Sequence, residues 1–225
     1  MEGTIMTSTT AQDWDTAAAV VRDHADALAS MGSHSELYSF AKEKNLATKL
    51  LFPKFKTELR KQLRIDYDQI RKDTLAARLV ELEAAGETAP TITLFCAGDV
   101  EVDSYAVCRA EEEDPWYGTF HENDQVADQD HADESAARKA VYLAGKAREF
   151  AGLDIVHLRL SVTNHVVTRT ALMRDMLKHK VWVTVDIVDD PNGNPALELC
   201  RAPGFRGWRE VSLGDLIEDS DGAAQ

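Results

Sequence analysis

The chain has 225 residues, 44% hydrophobic and 28% charged, which is the balance of a globular protein with room for one large domain or two small ones. No run of about 18 apolar residues is present, which excludes a transmembrane helix, and the opening MEGTIMTSTTAQDWD lacks the basic head and apolar stretch of a signal peptide. The net charge of −14 argues against nucleic acid on average, yet residues 40–78 hold 11 Lys/Arg against 5 Asp/Glu while the rest holds 14 against 34. Charge so divided predicts a basic module joined to an acidic one, each with its own partner; the plainer alternative is one helix with a basic solvent face.

In chain order, residues 1–12 read as a disordered tail and residues 13–84 as a helical module. Trp14, Ala18, Val21, Ala25 and Leu28 recur at helical intervals over residues 12–30. Met31-Gly32-Ser33 ends that helix, and Ser33 or Ser35 can cap the next, SELYSFAKEKN, which turns Leu37, Phe40 and Ala41 inward. NLATK breaks the helix and LLFPKFKTELRKQL follows, with Pro53 tolerated only in a first turn or at a kink. A further helix from Asp66 buries Ile70, Leu75, Leu79 and Leu82, and residues 85–90 form a linker.

The period then changes. Residues 91–97, 102–109 and 116–121 read as strands. A polar loop leads to a long helix from Glu134 with Ala137, Val141, Ala144 and Ala147 on one side. DIVHLRLSV is a strand, NHVVTRTALMRDMLKHK a helix and VWVTVDIV a strand; Asn192-Gly193 then predicts a hairpin into ALELCRA. The fold class is α+β: a helical module, then a mixed sheet in the order β-β-β-α-β-α-β with a terminal hairpin over residues 91–212. Residues 213–225 read as an acidic disordered tail. Cys96, Cys108 and Cys200 lack the paired spacing of a disulfide framework or zinc cage, so they read as buried, reduced thiols in a cytoplasmic protein.

Over residues 91–188 this succession resembles the ribonuclease H-like superfamily. LFCAG is similar to the family's first strand, LRLSVTNHVV to its fourth strand and following turn, and Glu134 matches its helix-borne glutamate. The resemblance implies nuclease chemistry, in which clustered carboxylates hold two divalent metals about 4 Å apart. The matched first-strand position is Ala97 and the matched fourth-strand position is Thr163, and neither can replace a carboxylate. The expectation is therefore a pseudoenzyme. Asp99, Glu101 and Asp103 alternate along a strand and, with Glu134, form the alternative reading: a relocated Mg²⁺ or Mn²⁺ site with Asp99, Glu101 and Glu134 as catalytic ligands. His121 and His131 read as exposed side chains rather than zinc ligands, and His157 and His165 as structural histidines.

The segment SELYSFAKEKNLATKLLFPKFKTELRKQLRID is similar to a helix-turn-helix. Ala41 stands where the helices cross, Asn45 takes the left-handed turn and Leu46 plugs the core. Its second helix offers Lys49, Lys54, Lys56, Arg60, Lys61 and Arg64 to phosphates or base edges, against the alternative of a helical bundle with a basic surface or a dimerisation role. The expected function is a non-catalytic nucleic-acid-binding protein that holds DNA or RNA through the basic module. Its acidic domain serves as scaffold, homodimer contact or protein-docking unit, a style that suits a mobile element. Two alternatives stand beside it: a divalent-metal nuclease, and an acidic module that mimics nucleic acid.

Overall fold

The computed structural model describes residues 9–110 and 114–218, and the apolar spacing of the first third of the chain becomes five helices. The helix expected over residues 12–30 is broken at His24 into α1 (Thr9–Asp23) and α2 (Ala25–Ala29). The His24 ring packs edge-on against Phe40 with centroids 5.3 Å apart. Ser33 opens α3 (His34–Glu43) with a reciprocal cap: its Oγ accepts from the Glu36 N–H, and Glu36 accepts from the Ser33 N–H at 3.0 Å. Such a cap contributes about 1 kcal/mol.

After α3 the chain reverses through Asn45, whose φ of +59° is the left-handed conformation expected of it. Leu46 and Ala41 are buried in the core of this helical unit. The connection from Lys44 to Leu50 is longer than the three or four residues of a helix-turn-helix corner. Thr48 Oγ1 caps α4 (Leu51–Glu58) by accepting from the Leu51 N–H at 3.1 Å. Pro53 therefore sits in the first turn, where a missing N–H costs nothing, and the helix runs on past it. A π-turn (Leu59–Leu63) closes this helix on Arg64, at φ +59°. Phe40, Phe55, Leu59 and Tyr67 are among the residues that fill the core between these helices.

The chain divides into two compact units, one up to Arg78 and one from Leu79. The linker expected at 85–90 is shorter than read, because α5 (Tyr67–Gly86) continues through Gly86. Gly86 meets Trp182 so closely that a Cβ there would lie 2.4 Å from the tryptophan Cβ.

In the second unit β1 (Thr91–Asp99), β2 (Ser104–Cys108) and β3 (Trp116–Thr119) form an antiparallel meander, and β4 (Val156–Val162) and β5 (Val181–Ile187) run parallel to β1. The strand order is β3-β2-β1-β4-β5. Between β3 and β4 runs α6 (Gln129–Phe150), capped by the Asp128 side chain; between β4 and β5 runs α7 (Arg169–His179), capped by Thr168. The α6 face against the sheet is nearly all alanine: Ala132, Ala136, Ala140 and Ala144 are fully buried. Small side chains let this helix approach β1 so closely that a Cβ on Gly98 would stand 2.4 Å from the Ala132 backbone.

The terminal hairpin is corrected. Pro191–Gly193 is a 3₁₀ turn capped by Asp190, and ALELCRA forms a short helix, α8 (Ala196–Leu199), rather than a strand. Asn194 decides this: its side chain accepts from the Ala196 N–H at 3.1 Å and donates to the Cys96 carbonyl at 3.1 Å, which starts a helix and pins it to β1. Ala196 and Cys200 then pack on Ala97, Ala106 and Cys108, covering the sheet face opposite α6. The tail expected from 213 is also shorter, since Leu216 is buried and the Glu218 N–H donates to the Thr91 carbonyl at 2.9 Å. The tail expected at 1–12 gives way to α1 from Thr9; residues 1–8 and 219–225 lie outside the described residues.

Candidate nucleic-acid interface and the polar cleft of the sheet

The six cations read as phosphate ligands divide by their surroundings. Lys54 Nζ lies 2.6 Å from Asp13 Oδ2 and its side chain is only 13% exposed, so it ties α4 to α1. Lys56 Nζ bonds both Asp68 oxygens at 2.8 Å and lies over the Phe52 and Tyr67 rings. Both are tied to an acid of the same unit, Lys54 nearly buried and Lys56 partly exposed. Arg60 and Lys61 are 63% and 62% exposed; Arg60 reaches Asp66 at 2.8 Å, and Lys61 reaches Glu58 at 3.0 Å while lying over Trp14. The Arg60 bond, joined by the Gln69 N–H, lowers the Asp66 pKa from its ordinary value. The Gln62 amide and Lys61 do the same for the nearly buried Glu58. Lys49 and Arg64 are exposed and, among the described residues, form no ion pair.

A second polar site lies in the cleft where β1 and β4 finish. It encloses about 420 Å³ and is lined by Asp99, Asp133, Thr163, Asn164, His165 and Arg201, among others. The expectation that Asp99, Glu101 and Asp103 share one strand face is corrected. The strand ends at Asp99, and residues 100–103 are a turn with Asp103 at φ +51°, because Asp99 Oδ1 accepts from the Glu101 and Val102 N–H groups and bends the chain. Glu101 and Asp103 are exposed on that turn. Asp99 itself is buried, and its second oxygen accepts from Arg201 Nε at 2.6 Å. Burial pushes the Asp99 carboxyl up, but the Arg201 bond and charge with the two N–H groups outweigh it, and the pKa falls below the ordinary value.

Glu134 is corrected as well. It points along the outside of α6 to Arg138, with Nη2 at 2.9 Å. The helix-borne acid that faces the sheet is its neighbour Asp133, which is buried. Asp133 Oδ1 accepts from the Gly98 N–H at 3.0 Å, and Oδ2 accepts from Gln129 Nε2 and Asn164 Nδ2, each at 3.0 Å. The signal was present in the sequence: four residues before Ala137 along the buried stripe stands Asp133, whereas Glu134 lies about 100° around the helix. Arg201 had no such signal, since only tertiary contact joins it to a residue 102 positions earlier.

Ala97 packs into the α8 layer and Thr163 lines the cleft, so the carboxylates present come from other positions. Both Asp99 and Asp133 are committed to protein donors, and among the described residues no three His, Cys, Asp or Glu side chains are grouped as a metal ion would need. Asp99 and Asp133 with the Asn164 and Gln129 amides are hard oxygen donors of the type Mg²⁺ or Mn²⁺ takes. Two acids whose oxygens already accept from three backbone N–H groups, two side-chain amides and an arginine do not fit that ion. The histidines are structural or exposed. His157 Nε2 pairs with Thr184 Oγ1 at 2.8 Å, His121 Nδ1 accepts from the Asn123 N–H, His131 Nδ1 lies 2.7 Å from Asp128, and His165 is exposed at the cleft rim. The three cysteines are buried, and burial pushes the Cys200 thiol up to about 11. No helix among the described residues is long and apolar enough to cross a membrane. The chain matches no protein-family model, and no curated protein is significantly similar to it.

Proposed function

We propose that the chain is a non-catalytic nucleic-acid-binding protein that holds DNA or RNA at the end of α4, and that its sheet unit is a degenerate ribonuclease H-like domain used as a scaffold or protein-docking unit. The observation that carries this reading is the cationic turn Arg60, Lys61 and Arg64, exposed within five residues on a π-turn that ends in a left-handed arginine. A π-turn and a non-glycine residue at positive φ are costs that persist where the side chains serve a purpose. Exposed acid partners such as Asp66 yield to a phosphate because surface ion pairs are weak. Lys49 adds a further exposed cation at the other end of the helix, whereas Lys54 and Lys56 act as structural ties.

The strand order β3-β2-β1-β4-β5 supports the family resemblance, and the engagement of Asp99 and Asp133 by protein donors supports the non-catalytic half. The unit from Leu79 holds 28 Asp/Glu against 13 Lys/Arg, a surface that suits a basic protein partner.

The test is a low-salt gel shift with and without Mg²⁺, on the wild type and on a variant with Lys49, Arg60, Lys61 and Arg64 all changed to Ala. Retention should be lost in the variant, and the wild-type affinity should fall with salt at a log–log slope near −3.6 for four duplex phosphates neutralised, roughly −0.9 each. Unchanged retention removes the reading. Metal-dependent cutting that disappears in Asp99→Asn establishes a nuclease in its place.

A further inference from the structure

A second place in the sheet unit combines aromatic rings with cations, and neither the family resemblance nor the helical module accounts for it. Between Arg138 and Arg148 the α6 sequence carries four cations and no acid, inside a unit that is otherwise strongly acidic. On this stretch Tyr142 stands between two tryptophans: its ring centroid is 6.0 Å from Trp116 on β3 and 5.7 Å from Trp208, which the C-terminal segment brings back over the helix. Tyr142 and Trp208 remain partly exposed. They open on a cleft of about 360 Å³ whose wall also includes Asn123, Arg138 and Lys139.

The chemistry of the ligand follows from what already occupies the rings. Lys146 Nζ lies 5.4 Å from the Tyr142 centroid and 5.9 Å from that of Trp208, the Arg209 guanidinium lies 5.0 Å from the Trp208 centroid, and Lys139 Nζ, 4.5 Å from the Tyr105 centroid, pairs with Asp124 at 2.9 Å. Cations seated there repel a further one, so a methylammonium ligand is excluded. Arg138 is 47% exposed at the rim, where Nη2 holds Glu134 at 2.9 Å, Nε lies 3.7 Å from Asp175, and Nη1 is left to meet an anion. Aromatic platforms beside exchangeable cations are what successive bases of a single strand stack on.

We propose that this cleft binds a nucleobase carrying a phosphate, with the base stacked against Tyr142 and Trp208 and the phosphate on Arg138. The same chemistry is offered by a free mononucleotide and by a single-stranded nucleic acid. The site shares no residue with the α4 cations, and its test removes them.

The experiment uses the full chain with Lys49, Arg60, Lys61 and Arg64 changed to Ala, and with Trp14→Phe and Trp182→Phe, which leaves Trp116 and Trp208 as the tryptophan reporters. Titration with AMP, with a ten-nucleotide oligothymidylate and with inorganic phosphate is read by tryptophan emission, and oligonucleotide binding also by polarisation of a labelled strand. Saturable quenching by AMP or the oligonucleotide, weakened about tenfold by Arg138→Ala and by Tyr142→Leu, is expected. Quenching by both nucleotides identifies a mononucleotide site, and quenching by the oligonucleotide alone identifies a single-strand site; either supports the proposal. Circular dichroism confirms that each variant is folded, and Arg138→Ala lies on the surface and leaves the core intact. No saturable change with either nucleotide at millimolar concentration, a response to inorganic phosphate equal to that with AMP, or binding indifferent to Arg138→Ala overturns it. Loss of wild-type binding through the α4 substitutions alone, with no quenching here, sinks this site while sparing the helical one.

Discussion

Arg201 Nε lies 2.6 Å from the Asp99 carboxylate across 102 residues of chain, and the two differ sharply in exposure: the Asp99 side chain is 5% exposed and the Arg201 side chain 68%. One exposed arginine therefore neutralises the buried acid at the end of the central strand. The pair neutralises Asp99 from the α8 side, while Asp133 accepts from β1, α6 and the turn after β4.

Arg201→Ala should lower the urea midpoint of the sheet unit, since a buried carboxylate loses its charged donor while the arginine's own exposure tempers the loss. The pH dependence follows in sign. Asp99 has a folded pKa below its unfolded value, so its contribution is fully present above the unfolded pKa and disappears as pH falls through the folded one. In Arg201→Ala, acid unfolding should begin at higher pH than in wild type, measured by urea melts from pH 7 to pH 3.

Asp133 and Glu134 should respond in opposite degree. Asp133→Ala leaves the buried Gly98 N–H and the Asn164 amide short of an acceptor and should cost about 2–3 kcal/mol. Glu134→Ala loses only a partly exposed pair with Arg138 and should cost under about 0.5 kcal/mol. Equal costs in thermal melts would contradict the assignment of Asp133 as the sheet-facing acid.

Arg64→Gly should move stability and binding in opposite directions. At φ +59° glycine is free of the Cβ penalty, so the variant should gain about 0.5–1 kcal/mol. It should also weaken nucleic-acid retention and flatten the salt slope by about 0.9 for a duplex, one phosphate's worth. A stabilised protein with unchanged retention would exclude Arg64 from the interface.

Gly98→Ala should be among the most damaging single changes, at about 3 kcal/mol or more, because the new Cβ meets the Ala132 backbone at 2.4 Å rather than a side chain that can turn away. Reduced soluble yield and loss of cooperative melting are the expected readouts.

His157 and His179 both have pKa values lowered by burial first and by nearby Arg159 or Lys178 second. Since each is held neutral in the fold, the unfolded chain binds more protons below about pH 6.5, and stability should drop as pH falls below that value. His157→Gln should flatten the slope of stability between about pH 6.5 and pH 5 if the Thr184 hydrogen bond is its only role.

Periodicity alone determined much of this protein. The five strands, the helices between them, the Ser33 cap and the left-handed Asn45 were readable because each depends on neighbours within about four residues. The Asn192-Gly193 signal misled for the same reason: a local turn preference said nothing of Asn194 reaching the Cys96 carbonyl 98 positions away, which makes the segment a helix. Tertiary structure alone decided which charges are free. Lys54 and Asp13 are 41 residues apart, Arg201 and Asp99 are 102 apart, and whether a charge faces water or a partner is a property of distance in space, which spacing along the chain does not encode.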